Sequence, residues 1–234
     1  VVWILTIALI RSSSSTFVKK SENPEPVQGI SLGRIKSIFT FDKSAIVAFA
    51  LGTFIEFASG DWSTLVTNQE IHAKKSIAVL SYFALIIAMI LGRMYFVKLI
   101  GFRSERFWIR TASLIGGGGF LFCSQFAYFL AGKGSAIALW FEVLGFFMAG
   151  LGTSFMSPLI TTIANRRSPL KPSEVVSQLN LSNTIIAFCA KLLVAWVAQA
   201  TSITVALVIP GLALLAMSRF AYLGNPNRLI PEKN

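Results

Sequence analysis

The sequence is poor in charge and in the residues that usually carry metal or redox chemistry. Only 13% of its 234 residues are charged, and it has one histidine, His72, and two cysteines, Cys123 and Cys189. A soluble domain carries about 25% charged residues, so this chain has too little polar material to cover a soluble fold. Both cysteines lie in apolar runs without metal-ligand spacing. These absences predict no disulfide framework, no metal, no cofactor and no enzymatic activity.

The chain is instead rich in long apolar runs. Hydrophobic residues make up 54% of it, and the mean hydropathy is +0.68. A helix that crosses a bilayer needs about 20 apolar residues, whereas a membrane barrel strand shows about ten alternating ones. We therefore predict an all-α membrane protein with a six-helix bundle, whose short connections make successive helices antiparallel. The predicted helices are 45–67, 76–97, 107–131, 136–163, 174–199 and 203–222.

The segments outside this bundle differ in composition. Residues 1–10 are apolar and end at Arg11, so the charge follows the apolar run, the reverse of the order in a signal peptide. We expect them to be the end of a further, truncated transmembrane helix. Residues 11–44 are rich in serine and basic residues, which predicts a linker. The bundle then covers 45–222, and residues 223–234 form a tail.

The basic residues predict the orientation of the bundle. Of the 21 Lys and Arg residues, 17 fall in segments that alternate along the chain, which are 11–44, 92–110, 164–173 and the part from Arg219 onward. Three fall in the intervening loops, namely Lys74, Lys75 and Lys133, and Lys191 lies inside a helix. Basic residues collect on the cytoplasmic side. The linker and the C-terminus are thus predicted to be cytoplasmic, and the net charge of +11 needs no nucleic acid to explain it.

Two carboxylates lie in the first predicted helix. Glu56 is eleven residues from each end, which places it at the bilayer midplane. A charge in hydrocarbon costs about 2.5 kcal/mol or more, so Glu56 is expected to face a cavity and to bind and release a proton. Asp61 lies about 140° further round the helix. It is either a second polar site or a polar residue at the outer end of the helix.

Glu142 and Lys191 lie at matching depths in consecutive helices. Their depths agree to about 3 Å at the helical rise of 1.5 Å per residue, so we expect an ion pair or a shared cavity. The alternative is that Lys191 snorkels to the surface while Glu142 is protonated or near the headgroups. Three amide side chains within helices, Gln125, Asn180 and Asn183, are further candidates for hydrogen bonds to a substrate.

Small residues and a proline indicate close packing and a bend. Four glycines run from Gly116 to Gly119, and Gly145, Ala149 and Gly152 share one face of the fourth helix. Small residues let helix backbones approach each other in membranes. Pro158, in that same helix, removes a backbone hydrogen bond and favours a bend.

The pattern of helix end, basic linker and six helices resembles the C-terminal half of the major facilitator superfamily, from the end of helix 6 to helix 12. Residues 92–103 resemble its G-R-x-x-x-D-R signature, with Gly92, Arg93 and Lys98 in place and Val97 where the signature has Asp. Two further stretches resemble the branch of sugar and fucose permeases, which are Glu56–Trp62 in helix 7 and Gly150–Pro158 in helix 10.

The resemblance implies alternating access between two six-helix bundles. This chain would be half of a carrier in the cell membrane, paired with an N-terminal half. It would move a small polar solute, with H⁺ bound at Glu56, past a gate at Gly92, Arg93 and Lys98. The altered signature implies a weakened gate lock. Two alternatives stay open: a non-transporting scaffold or receptor derived from a transporter, and a membrane-embedded enzyme that uses Glu56 and Asp61.

The orientation can be tested by labelling engineered cysteines from outside the cell. We expect an impermeant thiol reagent to modify the Lys74→Cys and Lys133→Cys variants and to leave Lys20→Cys unmodified, because the basic linker should lie in the cytoplasm. Labelling of intact cells at position 20 would contradict the predicted orientation.

Overall fold

The architecture was established from a computed structural model, which describes residues 42–134 and 136–225 without the side chains of Asp61, Val97 and Leu99. All regular elements in these ranges are helices, as the continuous apolar runs predicted.

Several predicted segments lie outside the described residues. They are the helix end at 1–10, the linker up to residue 41, and the part of the tail from residue 226. The boundary of the linker is corrected by two residues, because the first helix begins at Lys43. Asp42 precedes it and accepts a hydrogen bond from the Ser44 amide at 3.0 Å, which caps the helix start.

Six helical stretches in the described part are long and apolar enough to cross a membrane, as predicted. They are Lys43–Gly60, Lys75–Phe96, Glu105–Ala131, Ala138–Arg167, Pro172–Ala200 and Ile203–Gly224, and we call them spans 1 to 6. Their α-helices are Lys43–Gln69, Lys75–Ala78, Leu80–Leu99, Glu105–Ala131, Ala138–Thr153, Met156–Arg167, Pro172–Ala200, Ile203–Ala206 and Val208–Ala216, with 3₁₀ turns at Ile100–Phe102 and Met217–Gly224.

Spans 1 and 4 are the centre of the bundle. Each is 61% buried within the protein, whereas span 2 is 22% buried and span 5 is 17% buried. Span 4 packs against spans 1, 2 and 3, while span 5 packs against span 1, the start of span 6 and the second half of span 4. Polar side chains on spans 1 and 4 are therefore the ones most enclosed by protein.

Glycines bring the backbones of spans 3 and 4 into direct contact. A Cβ atom added to Gly116 would lie 2.6 Å from the Cα of Gly152, and a Cβ on Gly152 would lie equally close to Gly116. One on Gly145 would lie 3.2 Å from the Cβ of Cys123, and Ala149 between them is fully buried. This confirms the predicted small-residue face of span 4.

Span 4 is broken at Ser154 and Phe155, between the helices Ala138–Thr153 and Met156–Arg167. The break fits the bend predicted from Pro158. Proline has no N–H group, so the carbonyl of Ser154, four residues earlier, lacks its helical donor. The break therefore leaves a backbone acceptor near the middle of a central span.

Two glycines in the same run should respond differently to alanine. We expect Gly116→Ala to destabilise the protein by about 1–3 kcal/mol, because the new methyl group would meet the backbone of span 4. Gly118→Ala is the matched control, since the nearest atom to its Cβ would be Leu215 Cδ1 at 3.9 Å. Unfolding in mixed micelles measures both, and equal stabilities would contradict the glycine contact.

Candidate functional site

Glu56 lies in a cluster of four residues from spans 1, 2 and 4. Its Oε1 atom accepts a hydrogen bond from Thr153 Oγ1 at 3.0 Å and lies 3.7 Å from Arg93 Nη2. Ser154, next to Thr153, also contacts Arg93. We call Glu56, Arg93, Thr153 and Ser154 the central cluster. The structure thus joins the predicted proton site to the arginine of the predicted gating motif.

Arg93 is held in place by the break in span 4. Its Nε atom donates to the carbonyl of Ser154 at 2.8 Å, which is the acceptor that Pro158 leaves without a helical donor. The neighbouring Gly92 allows this approach, since a Cβ atom there would overlap the Ser154 side chain. The guanidinium group therefore replaces a missing backbone N–H while it faces a carboxylate.

Thr153 has one hydroxyl proton and two acceptors. Its Oγ1 atom lies 2.6 Å from the carbonyl oxygen of Gly52 and 3.0 Å from Glu56 Oε1. When Thr153 gives its proton to Gly52, a protonated Glu56 can donate to the Thr153 oxygen. When Glu56 is charged, it accepts from Thr153 and faces Arg93. The cluster thus offers a partner to either protonation state of Glu56.

The two charged side chains differ in exposure. The side chain of Glu56 is 20% exposed and that of Arg93 is 52% exposed. Glu56 is therefore shielded by protein, while Arg93 connects it to the surroundings of the bundle. Lys98, the last residue of the predicted motif, is exposed near the end of its helix. The side chains of Asp61 and Val97 lie outside the described part.

The predicted amides on span 5 occupy different environments. Asn183 is buried and its Oδ1 atom accepts a hydrogen bond from Thr53 Oγ1 at 3.1 Å, which joins spans 1 and 5. Asn180 is exposed, as are Ser177 and Thr184. Spacings of three and four residues place these three on one helix face. Span 5 therefore presents a polar stripe outside the packed bundle.

The predicted ion pair between Glu142 and Lys191 is wrong. Glu142 is fully buried, and its oxygens form no ion pair or hydrogen bond with Lys191. Lys191 instead lies with its Nζ atom 5.8 Å from the ring centre of Phe57. A matching depth in the bilayer does not bring the two side chains together. Span 5 packs on spans 1 and 6 and on the second half of span 4, whereas Glu142 belongs to the first half of span 4.

Glu142 belongs to a second group of polar residues, where the helix Lys43–Gln69 ends and span 6 begins. Gln125 Nε2 donates to the carbonyl of Thr204 at 3.2 Å. Glu70 accepts from the Thr204 amide at 2.8 Å and from the Ile203 amide, so it caps span 6. Ser124 and Glu142 are neighbours across spans 3 and 4. We call Glu70, Ser124, Gln125, Glu142 and Thr204 the end cluster.

Sequence reasoning missed Thr153 and Ser154 in the central cluster and Glu70 in the end cluster. Ser and Thr are common in any membrane helix, so their residue type alone carries little signal. A usable signal for Ser154 was its position four residues before Pro158. Glu70 was placed in a loop, and its role depends on a contact across 134 positions of sequence.

An apolar cavity of about 380 Å³ lies beside the central cluster, between spans 2, 3 and 4. Tyr95, Trp108, Ile115 and Phe155 are among its lining residues. Within the described ranges, no three His, Cys, Asp or Glu side chains are grouped so that they could hold a metal. Glu56 and Arg93 are the two ionisable side chains of the central cluster.

Comparison with known proteins gave no match to a family model, a curated protein or a solved structure. The fold alone defines the class: an all-α membrane protein with six candidate spans in its described part.

The link between Pro158 and Arg93 can be measured with a double-mutant cycle. Arg93→Lys should destabilise the protein by about 1 kcal/mol, because the Ser154 carbonyl loses its donor. In a Pro158→Ala background the same change should cost less, since the alanine supplies a backbone N–H that can bond that carbonyl. Unfolding in mixed micelles gives the coupling energy.

The matched control for this cycle is Pro172→Ala, at the start of span 5, which should not couple to Arg93. Additive effects of Arg93→Lys and Pro158→Ala would show that the proline and the arginine act independently.

Proposed function

We propose that this chain is the C-terminal, six-span half of a secondary transporter of the major facilitator type. It moves a small polar solute across the cell membrane by alternating access, coupled to H⁺ through Glu56. A second bundle of six spans completes the carrier. The linker, the C-terminus and the other segments rich in basic residues face the cytoplasm.

The observation that carries this proposal is the pair of alternative partners around Glu56. Arg93 stabilises the charged carboxylate across 3.7 Å, and Thr153 can accept a hydrogen bond from the neutral acid. Proton uptake by Glu56 removes its attraction for Arg93 and so weakens the electrostatic link between spans 1 and 2. A proton thereby changes the force between two helices, as an H⁺-coupled carrier requires.

The exposed surfaces of spans 2 and 5 support a partner bundle. These are the least buried spans, and span 5 carries the stripe of Ser177, Asn180 and Thr184. An amide such as Asn180 is costly in lipid, so this face suits a water-filled cavity between two bundles. Asn180 is the exposed candidate for a substrate hydrogen bond, whereas Asn183 and Gln125 already bond within the bundle.

A scaffold or an enzyme explains less of this arrangement. A scaffold needs no carboxylate enclosed in the middle of the helix Lys43–Gln69 beside a half-exposed guanidinium. A hydrolytic enzyme needs a second catalytic group beside Glu56, and its described neighbours are Arg93 and a threonine hydroxyl. Transport uses both features, because a carrier needs a charge that is compensated in one state and neutral in the other.

Replacement of Glu56 by glutamine tests the coupling. Gln keeps the shape of the neutral acid but binds no proton. In proteoliposomes of the complete carrier that contain an internal pH dye, we expect sugars, polyols or amino acids to drive proton entry in the wild type. Glu56→Gln should abolish that entry and uphill uptake, while exchange of labelled substrate across the membrane continues.

Glu105→Gln is the matched control, because Glu105 pairs with Arg166 near helix ends and away from the central cluster. It should retain proton-coupled uptake. If the Glu56→Gln protein accumulates solute in response to a pH gradient as the wild type does, Glu56 has no coupling role.

A further inference from the structure

The apolar cavity between spans 2, 3 and 4 has an aromatic wall. The rings of Phe96 and Phe155 stack with their centres 4.0 Å apart, and Trp108 meets both rings edge-on, at 6.1 Å and 6.5 Å. All three side chains line the cavity of about 380 Å³. Aromatic rings that pack in such pairs hold one another in place. The wall therefore keeps this space open between the spans.

The lining of the cavity suits hydrocarbon better than a polar solute. Ser154 donates its hydroxyl proton to the carbonyl of Leu151 at 2.8 Å, and its own carbonyl accepts from Arg93. Most other lining residues are apolar side chains or glycines. Apolar cavities stay dry and bind apolar ligands. A hydrocarbon chain therefore matches the lining.

The cavity opens onto the surface of the bundle between spans 2 and 3. Leu91, Tyr95 and Ile115 line it and are 36%, 57% and 51% exposed. In a chain whose helices cross a bilayer, exposed apolar side chains in the middle of a span contact lipid. A lipid acyl chain can therefore enter the cavity sideways from the bilayer.

Two basic side chains lie at one end of this opening. Lys98 follows Tyr95 by three residues on the same helix, which places it about one turn further along. Arg103 lies 5.8 Å from the ring centre of Phe107, whose ring packs on that of Trp108. Both basic side chains are exposed, and neither has an ion pair within the described ranges. Two uncompensated cations thus border the apolar cavity.

We propose that the cavity holds an acyl chain of an anionic phospholipid, whose phosphate group binds Lys98 and Arg103. Basic pockets between membrane helices bind anionic headgroups on the cytoplasmic side, where the distribution of basic residues predicts this end of the bundle to lie. The site is separate from Glu56 and does not depend on transport.

A phospholipid accounts for both parts of the site. A free phosphate ion would bind the basic residues and leave the cavity unfilled, whereas an apolar solute would fill the cavity and leave the cations unpaired. A phospholipid joins an anion to a hydrocarbon chain at the boundary between water and lipid. Tyr95 and Trp108 are residue types that favour this boundary, and they lie between the basic end and the rest of the cavity.

The test measures thermal unfolding of the purified full-length protein in non-ionic detergent with added phospholipid. A ligand that binds only the folded state raises the melting temperature as its concentration passes Kd. We expect phosphatidylglycerol to raise it saturably, with a midpoint about tenfold lower than that of phosphatidylcholine with the same chains. Inorganic phosphate should leave the melting temperature unchanged.

Two sets of variants separate the cavity from the basic residues. Ile115→Trp places a larger ring in the opening and should raise the phosphatidylglycerol midpoint at least tenfold. Its control is Leu114→Trp, since Leu114 is 44% exposed and lies outside the cavity. Replacement of Lys98 and Arg103 together by glutamine should make the midpoints of the two lipids equal. Lys133→Gln, in the loop after span 3, should keep the difference.

Equal midpoints for the two lipids in the unchanged protein would overturn the proposal. So would an unchanged phosphatidylglycerol midpoint in Ile115→Trp, or stabilisation by inorganic phosphate alone, which would mean an ion site without a lipid chain. A melting temperature that no lipid changes would mean that another part of the protein covers the opening. If Ile115→Trp does not fold, Thr111→Leu, which also enlarges a lining side chain, decides.

Discussion

Backbone contact around span 4 is the constraint on which the rest of this structure depends. Lipid solvates apolar side chains as well as a neighbouring helix does, so helices in a membrane associate through close packing and polar contacts. Gly152 meets Gly116 of span 3, and Gly150 on the same helix leaves no room for a side chain against Leu85 of span 2. These contacts hold the first half of span 4 between its neighbours and thereby fix where its polar residues lie.

The central cluster follows from this placement. Thr153 and Ser154 end the first half of span 4, where they face Gly52 and Glu56 of span 1 and Arg93 of span 2. In an unbroken helix the Ser154 carbonyl would accept a hydrogen bond from the backbone N–H of residue 158. Pro158 has no N–H, so the carbonyl can accept from Arg93 instead. The free Ser154 carbonyl thus binds the Arg93 guanidinium, and this cation lowers the cost of a carboxylate in the middle of the helix Lys43–Gln69. The packing of span 4 and its break at Pro158 therefore together determine where Arg93 lies relative to Glu56.

The six spans could be predicted from the sequence because their signal is local. Continuous apolar runs fixed their number and ends to within a few residues, and Pro158 indicated the bend. Partners across the bundle were not predictable in the same way. Glu142 and Lys191 matched in depth but face different neighbours, since depth fixes one coordinate of a side chain and rotation about the helix fixes another. Arg93 was recognised from a motif at the helix end, and its reach to Glu56 depends on how spans 1, 2 and 4 pack.

Glu56 and Glu142 show how two carboxyl groups of one bundle lie in different surroundings. Glu56 has a cation on one side, a hydroxyl on the other and a route to the surroundings along the half-exposed Arg93. A partner is therefore present for the charged form and for the neutral form of Glu56. Glu142 lies on the same unbroken helix, eleven residues before Thr153, where it is fully buried with Ser124 beside it. The charged form of Glu56 therefore has a cation beside it, whereas the described neighbours of Glu142 supply none.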